Sequence, residues 1–159
     1  MENKIIGFTC GAMDLLHAGH VLMLKEAKNN CDHLIVGLHT DPTIDRESKN
    51  KPIQSLEERR IQLRGCKYVD EILEYDTEAD LVIMLNNLKE THSENLVRII
   101  GADYIDKEFT GKDLDIKVVY NSRNHSYSSS ELRKRIWREE TIKFAKKTGT
   151  YTLKMGPHE

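Results

Sequence analysis

His17 and His20 stand three residues apart in a stretch rich in small side chains, Gly11-Ala12-Met13-Asp14-Leu15-Leu16-His17-Ala18-Gly19-His20. Paired imidazoles suit reactions in which negative charge builds on phosphate oxygens. Each ring can donate a hydrogen bond into that charge, and an imidazolium adds a positive charge as well. Asp14 can accept from a substrate hydroxyl or help hold a metal on the phosphates. Gly19 lets backbone come close to a ligand. The bland alternatives are a helix-capping histidine, a satisfied structural one and an ordinary turn aspartate.

The elements around this stretch favour the chemical reading. The apolar run Ile5-Ile6-Gly7-Phe8 before it reads as a short buried strand, and Val21 to Lys28 after it reads as a helix. A strand that turns through glycines into a helix N-terminus gathers unpaired N–H groups and the positive end of the helix dipole, which makes an anion site. Branched-aliphatic runs predict strands over Lys4–Phe8, His33–Leu38, Val69–Glu74, Leu96–Ile100 and Ile116–Tyr120. Helices are predicted over His20–Asn29, Leu56–Gly65, Ala79–Lys89 and Ser130–Lys147, with capping-box patterns at Ser55-x-x-Glu58 and Ser128-x-x-Glu131. This alternation, without hairpin dipeptides, calls for β-α-β units and a parallel sheet, an α/β fold. Two long polar segments, Thr40–Gln54 with Lys49 and Lys51, and Ala102–Asp115 with Asp103, follow strands. They belong at the carboxyl edge of the sheet, as do the histidine turn and Asn121–Ser129.

Composition is that of a soluble globular chain. The 159 residues carry a formal charge of −2, which gives no case for a nucleic-acid or membrane partner. No apolar run reaches the roughly 20 residues needed to span a bilayer, and Met1-Glu2-Asn3-Lys4 enters a strand at once, so no secretory signal is expected. Cys10, Cys31 and Cys66 are odd in number and lack C-x-x-C spacing. They predict free thiols in a reducing cytoplasm, and no protein metal site is expected. One domain over residues 1–147 is expected, followed by a weakly patterned tail, 148–159.

Several segments, taken in order, resemble one family. The H-x-G-H signature within Gly11 to His20 is similar to that of the cytidylyltransferase-like nucleotidyltransferases. So are Lys49-Asn50-Lys51-Pro52-Ile53-Gln54-Ser55-Leu56-Glu57-Glu58-Arg59, Lys67-Tyr68-Val69-Asp70-Glu71, Gly101-Ala102-Asp103-Tyr104, and Arg123 to Ser130. The matches run collinearly from about residue 5 to residue 136. The resemblance implies a Rossmann-like, doubly wound, five-stranded parallel sheet of order 3-2-1-4-5 with helices on both faces. It further implies that His17 and His20, with Lys49 and Arg123, are catalytic. Gly11, Ala12, Met13, Gly19, Lys51, Gly101, Asp103, Tyr127, Ser128 and Ser129 would join His17, His20 and Arg123 around the nucleotide. Asp14, Arg59 and Lys67 would bind the acceptor, with Arg59 pointing to the rim.

Some residues depart from the family pattern. Ala12 and Met13 stand where relatives have threonine and phenylalanine, and Lys67 where several have arginine. Arg123-Asn124-His125-Ser126-Tyr127-Ser128-Ser129 replaces the usual Arg-Thr-Glu-Gly-Ile-Ser-Thr.

The shared chemistry is attack of an acceptor phosphate on the α-phosphate of a nucleoside triphosphate, with Mg²⁺ carried by the nucleotide. Chain size and the segment from Ser55 to Leu73 resemble the glycerol-3-phosphate cytidylyltransferases, implying CTP and a phosphorylated alcohol as substrates. The Leu15-Leu16-His17-Ala18-Gly19-His20 form and Gly101-Ala102-Asp103-Tyr104 are shared with the adenylyltransferases that activate heptose phosphates. The alternatives are therefore adenylyl transfer to a sugar phosphate, flavin mononucleotide or phosphopantetheine, or a non-catalytic nucleotide-binding module. The relatives imply a homodimer. The last helix carries seven basic residues, a solvated face beside the apolar positions Leu132, Ile136, Trp137 and Phe144.

Overall fold

Strand order is where chain direction and chemistry meet. In the computed structural model, which describes residues 3–150, five strands form one parallel sheet in the order β3-β2-β1-β4-β5. They are β1 (Ile6–Gly11), β2 (His33–His39), β3 (Glu71–Tyr75), β4 (Leu96–Gly101) and β5 (Lys117–Asn121). The helices are α1 (Ala18–Asn29), α2 (Leu56–Arg64), α3 (Glu78–His92) and α4 (Ser129–Thr148). Each expected element is present. Some ends match and others shift by up to three residues, and β1 gains Thr9, Cys10 and Gly11 because they continue the ladder to Val36, Gly37 and Leu38 of β2.

Side-chain alternation divides the core in two. Leu34, Val36 and Leu38 of β2 and Val97 and Ile99 of β4 pack on one face with Leu24 and Ala27 of α1 and Leu63 of α2. Ile35, with Ile6 and Phe8 of β1 and Leu96, packs on the other face with Leu81, Leu85 and Leu88 of α3. Covered on both faces, β2 reads as a nearly unbroken apolar run, as a central parallel strand must. Each buried leucine contributes about 2 kcal/mol by leaving water. Together they hold the strand ends in register.

The expected capping box of α2 is complete: Ser55 Oγ accepts from the Glu58 N–H at 3.2 Å, and Glu58 accepts from the Ser55 N–H at 2.7 Å. In α4 only half of the expected box forms, with Ser128 Oγ accepting from the Glu131 N–H at 3.1 Å. The chain separates into two compact units, one up to Ser126 and one from Tyr127 onward. Of the tail, Gly149 caps α4 in the left-handed conformation (φ 70°). The remainder of that expectation, 151–159, lies outside the described residues.

Because the strands are parallel, everything that follows β1, β2, β4 and β5 emerges at the same edge. The histidine turn, residues 40–55, residues 102–116 and the stretch from Ser122 to Ser126 all belong to that carboxyl rim.

Candidate active site

The turn from β1 into α1 is tight. Met13 and Leu15 have φ of 51° and 50°, a left-handed conformation that costs L-residues roughly 1–2 kcal/mol each. Neighbouring anchors offset that cost. Met13 is buried in the α1/α2 core. The Asp14 carboxylate, 8 % exposed, accepts the N–H groups of Ile53 and Gln54, each at 2.9 Å. Gln54 returns the contact, its Oε1 accepting the Leu15 N–H at 2.6 Å. This lashes the Lys49–Gln54 stretch to the histidine turn. Asp14, expected beside the acceptor, thus has both oxygens on backbone N–H groups and docks a loop to the turn.

His17 is the N-cap of α1. Its Nδ1 accepts from the Gly19 N–H at 3.0 Å, and the His17 N–H donates to Nδ1 of His20 at 3.2 Å. Two imidazoles form the reciprocal box that serine and glutamate usually make. A ring nitrogen that accepts a hydrogen bond carries no proton, so each neutral ring keeps its proton on Nε2. The rings lie 4.0 Å apart between centroids, tilted by 37°. Burial, then His125, hold His17 below the ordinary histidine range. Burial, then His17, bring His20 down to about 4, against a smaller opposing pull from Asp14. In the free protein both shifts favour neutral imidazoles over the imidazolium, which leaves Nε2 of each ring to donate. Neutral imidazole is an effective donor toward a developing oxyanion.

Gly19 serves these rings directly. A β-carbon there would lie 2.8 Å from Cε1 of His17 and 2.9 Å from Cε1 of His125. The absent side chain admits both imidazoles, and His125, a departure from the family pattern, becomes a third histidine at the turn.

Arg59 lies buried beneath the rim, not exposed on it. It is 2 % exposed, donating from Nη1 to the Ala12 carbonyl (2.9 Å) and the His39 carbonyl (2.7 Å), and from Nη2 to the Thr40 carbonyl (2.6 Å). It clamps the ends of β1 and β2 together. Burial works against its charge and Asp14 opposes that effect. Lys67 is also corrected. It follows α2 and precedes β3, so chain direction puts it at the amino edge, opposite the rim, where its Nζ lies 5.2 Å from the Tyr68 ring centroid.

Lys49 and Lys51 are exposed on the lashed loop, with Lys51 Nζ 3.9 Å from the Asp41 carboxylate. Asp103, after β4, and Arg123, after β5, form an ion pair, which brings two expected nucleotide ligands together. Gly101 has open space where a β-carbon would stand, and Gly11 lies against Met13. Tyr127, Ser128 and Ser129 belong to the second unit. Sequence reasoning missed Gln54, Glu78 and Arg98 as organisers of the rim. Arg98 had a visible signal, a lone charge inside the run Leu96-Val97-Arg98-Ile99-Ile100.

A parallel sheet of this order, flanked by helices, is a Rossmann-like fold, here with a histidine-capped helix at its rim. The chain belongs to the cytidylyltransferase-like family, whose model matches residues 8–135, and is thus a nucleotidyltransferase-family enzyme. It is 34 % identical over 145 residues to the bifunctional protein HldE of Helicobacter hepaticus, covering 89 % of this chain and 28 % of that protein. It is 37 % identical over 110 residues to the bifunctional protein HldE of Caulobacter sp. strain K31, covering 69 % of this chain and 21 % of the relative. The chain thus spans about a quarter of those relatives.

Among solved structures, it is similar to a lipopolysaccharide core biosynthesis protein from Thermoplasma volcanium. The TM-score there is 0.56 with 25 % identity, over 79 % of this chain and 99 % of that one. A bifunctional NMN adenylyltransferase/ADP-ribose pyrophosphatase from Francisella tularensis, complexed with AMP and a manganese ion, shares the fold. Its TM-score is 0.58 at 15 % identity, over 85 % of this chain and 42 % of that one.

Proposed function

We propose that this chain transfers a nucleotidyl group to the phosphate of a small hydroxylated acceptor. An acceptor phosphate oxygen bonds to the α-phosphorus of a nucleoside triphosphate. The bond from that phosphorus to the bridging oxygen breaks, and pyrophosphate leaves with the electron pair. The observation that carries this reading is the mutual capping of His17 and His20, which fixes both rings with their donor protons on Nε2. Such preorganised donors stabilise charge on non-bridging oxygens without reorganising during reaction. Lys49 and Lys51 neutralise the triphosphate from a loop that Asp14 pins to the same turn, and Arg123 holds the nucleotide. No protein nucleophile is required.

Magnesium enters with the nucleotide as part of the substrate. Among the described residues no three His, Cys, Asp or Glu side chains group to hold a cation. Bound with the nucleotide, the ion would neutralise charge on the phosphates. The chain's own residues do the positioning.

For the substrates, adenylyl transfer from ATP to a sugar phosphate is the favoured reading. The similarity to a lipopolysaccharide core biosynthesis protein supports a saccharide acceptor. So does the Leu15-to-His20 form, shared with heptose-phosphate adenylyltransferases. A second reading, CTP with a phosphorylated alcohol such as glycerol 3-phosphate, is favoured by the Ser55–Leu73 segment. Pyrophosphate release, measured for each nucleoside triphosphate with Mg²⁺ against a panel of sugar phosphates and phosphorylated alcohols, decides between them. Nucleotide binding without release from any pair would leave only the non-catalytic module.

A further inference from the structure

Glu78 is the first residue of α3, yet it does not cap that helix. The capping box belongs to Thr77 and Asp80, each accepting the other's N–H at 3.1 Å. Glu78 reaches instead to both long loops of the rim. Its N–H donates to Asp45 Oδ2 at 2.5 Å, and its Oε1 lies 3.4 Å from Nη2 of Arg46. Its Oε2 accepts from the Thr110 hydroxyl at 2.5 Å. An acidic residue placed in a first turn only for the helix dipole would face solvent. This side chain is 25 % exposed and spends both oxygens on loops.

The two loops differ in how firmly they are held. Thr110 is fixed from below, its carbonyl accepting from Arg98 Nη1 at 3.1 Å. The Arg98 guanidinium lies 5.6 Å from the Phe8 ring centroid and 5.8 Å from that of Phe109. Gly111 then reverses the chain at φ 83°, where a β-carbon would meet Leu85 Cδ1 at 2.6 Å. Asp45 and Arg46 sit in the loop that carries the lysines, and the Lys49 N–H donates to the Arg46 carbonyl at 3.0 Å. That turn opens the Lys49–Lys51 stretch, whose far end is lashed to Asp14.

We propose that Glu78 is a positioning residue for nucleotidyl transfer, coupling the Lys49/Lys51 loop to the Arg98-anchored loop that begins at Asp103. The lysines and the Asp103–Arg123 pair then meet one nucleotide in a fixed relation. The inference rests on the nucleotidyl-transfer reading, but its structural half can be measured without activity.

The test compares Glu78→Ala and Glu78→Gln with wild type, by steady-state kinetics and by amide hydrogen exchange. Glu78→Ala is expected to raise KM for the nucleoside triphosphate about tenfold, what losing a charge-assisted hydrogen bond is worth. KM for the acceptor stays within about twofold. Exchange across residues 41–51 quickens while Leu85 and Leu88 in α3 keep their protection. Glu78→Gln retains an acceptor for Thr110 and recovers part of the loss. The proposal is overturned if nucleotide KM stays within about twofold of wild type. It is equally overturned if exchange over 41–51 is unchanged, or if α3 loosens while the kinetics of the folded fraction do not move. Should wild type release no pyrophosphate with any pair, the functional reading fails alone. Exchange then decides the coupling, and unchanged rates over 41–51 reject it.

Discussion

The main-chain N–H of His17 donates to Nδ1 of His20 at 3.2 Å, so the two candidate catalytic rings are also the cap of the helix that bears them. Chemistry and local fold share the same atoms. Protonating Nδ1 of His20 would break the cap, and burial already disfavours the charge.

A pH dependence of stability follows. His20 has a native value of about 4 against 6.5 when unperturbed, so the unfolded chain takes up a proton that the folded chain refuses. The associated stability is complete above pH 6.5 and is lost as pH falls toward 4. Roughly 3 kcal/mol is at stake for this one group. His17, shifted the same way, adds to the trend. Urea denaturation at pH 7.5 and pH 4.5 measures the difference, and His20→Gln should flatten it.

Gly19→Ala tests the shared use of the histidine cap by fold and chemistry. Gly19 is a helical residue without positive φ, so alanine suits its backbone and gains helix propensity of up to about 1 kcal/mol. Its new methyl would nonetheless press on the His17 and His125 rings. The expected result is a lowered thermal midpoint, because the displaced His17 ring caps α1, together with kcat reduced at least about tenfold. Calorimetry and pyrophosphate release, run on the same preparation, show whether the two effects go together.

Arg59→Met should act through the fold. It leaves the carbonyls of Ala12, His39 and Thr40 without their shared donor, at a cost of about 3 kcal/mol or more. Arg59→Lys recovers little, because a single ammonium cannot fork across three oxygens. A loss of urea midpoint is expected. An acceptor-binding arginine would instead raise acceptor KM and leave the midpoint alone.

Much of this architecture is legible in the chain itself. The apolar runs and the Ser55/Glu58 box specify elements by local physics, and strand order follows the resemblance. Two misplaced residues were readable in principle. Arg59 lies three after Leu56 and four before Leu63, on the inward stripe of α2, so helical periodicity alone turns it toward the core. Lys67 lies between the end of a crossover helix and the start of a strand, which places it at the amino edge of any parallel unit. The histidine cap was not readable. Imidazole is an uncommon cap, and the acceptor role of Nδ1 depends on rotamers set by Gly19 and the turn. The charge state was hidden for the same reason, because desolvation by tertiary packing decides it.

The most direct test of the account is single-turnover pyrophosphate release by wild type, His17→Ala and His20→Ala, using the productive nucleotide–acceptor pair and Mg²⁺ at pH 7.5. Circular dichroism confirms folding of each protein. Each substitution is predicted to slow the chemical step at least about a hundredfold while nucleotide binding persists, the expected cost of removing one preorganised donor. A folded His20→Ala or His17→Ala protein that releases pyrophosphate at near wild-type rate would contradict the assignment of these two rings to the reaction.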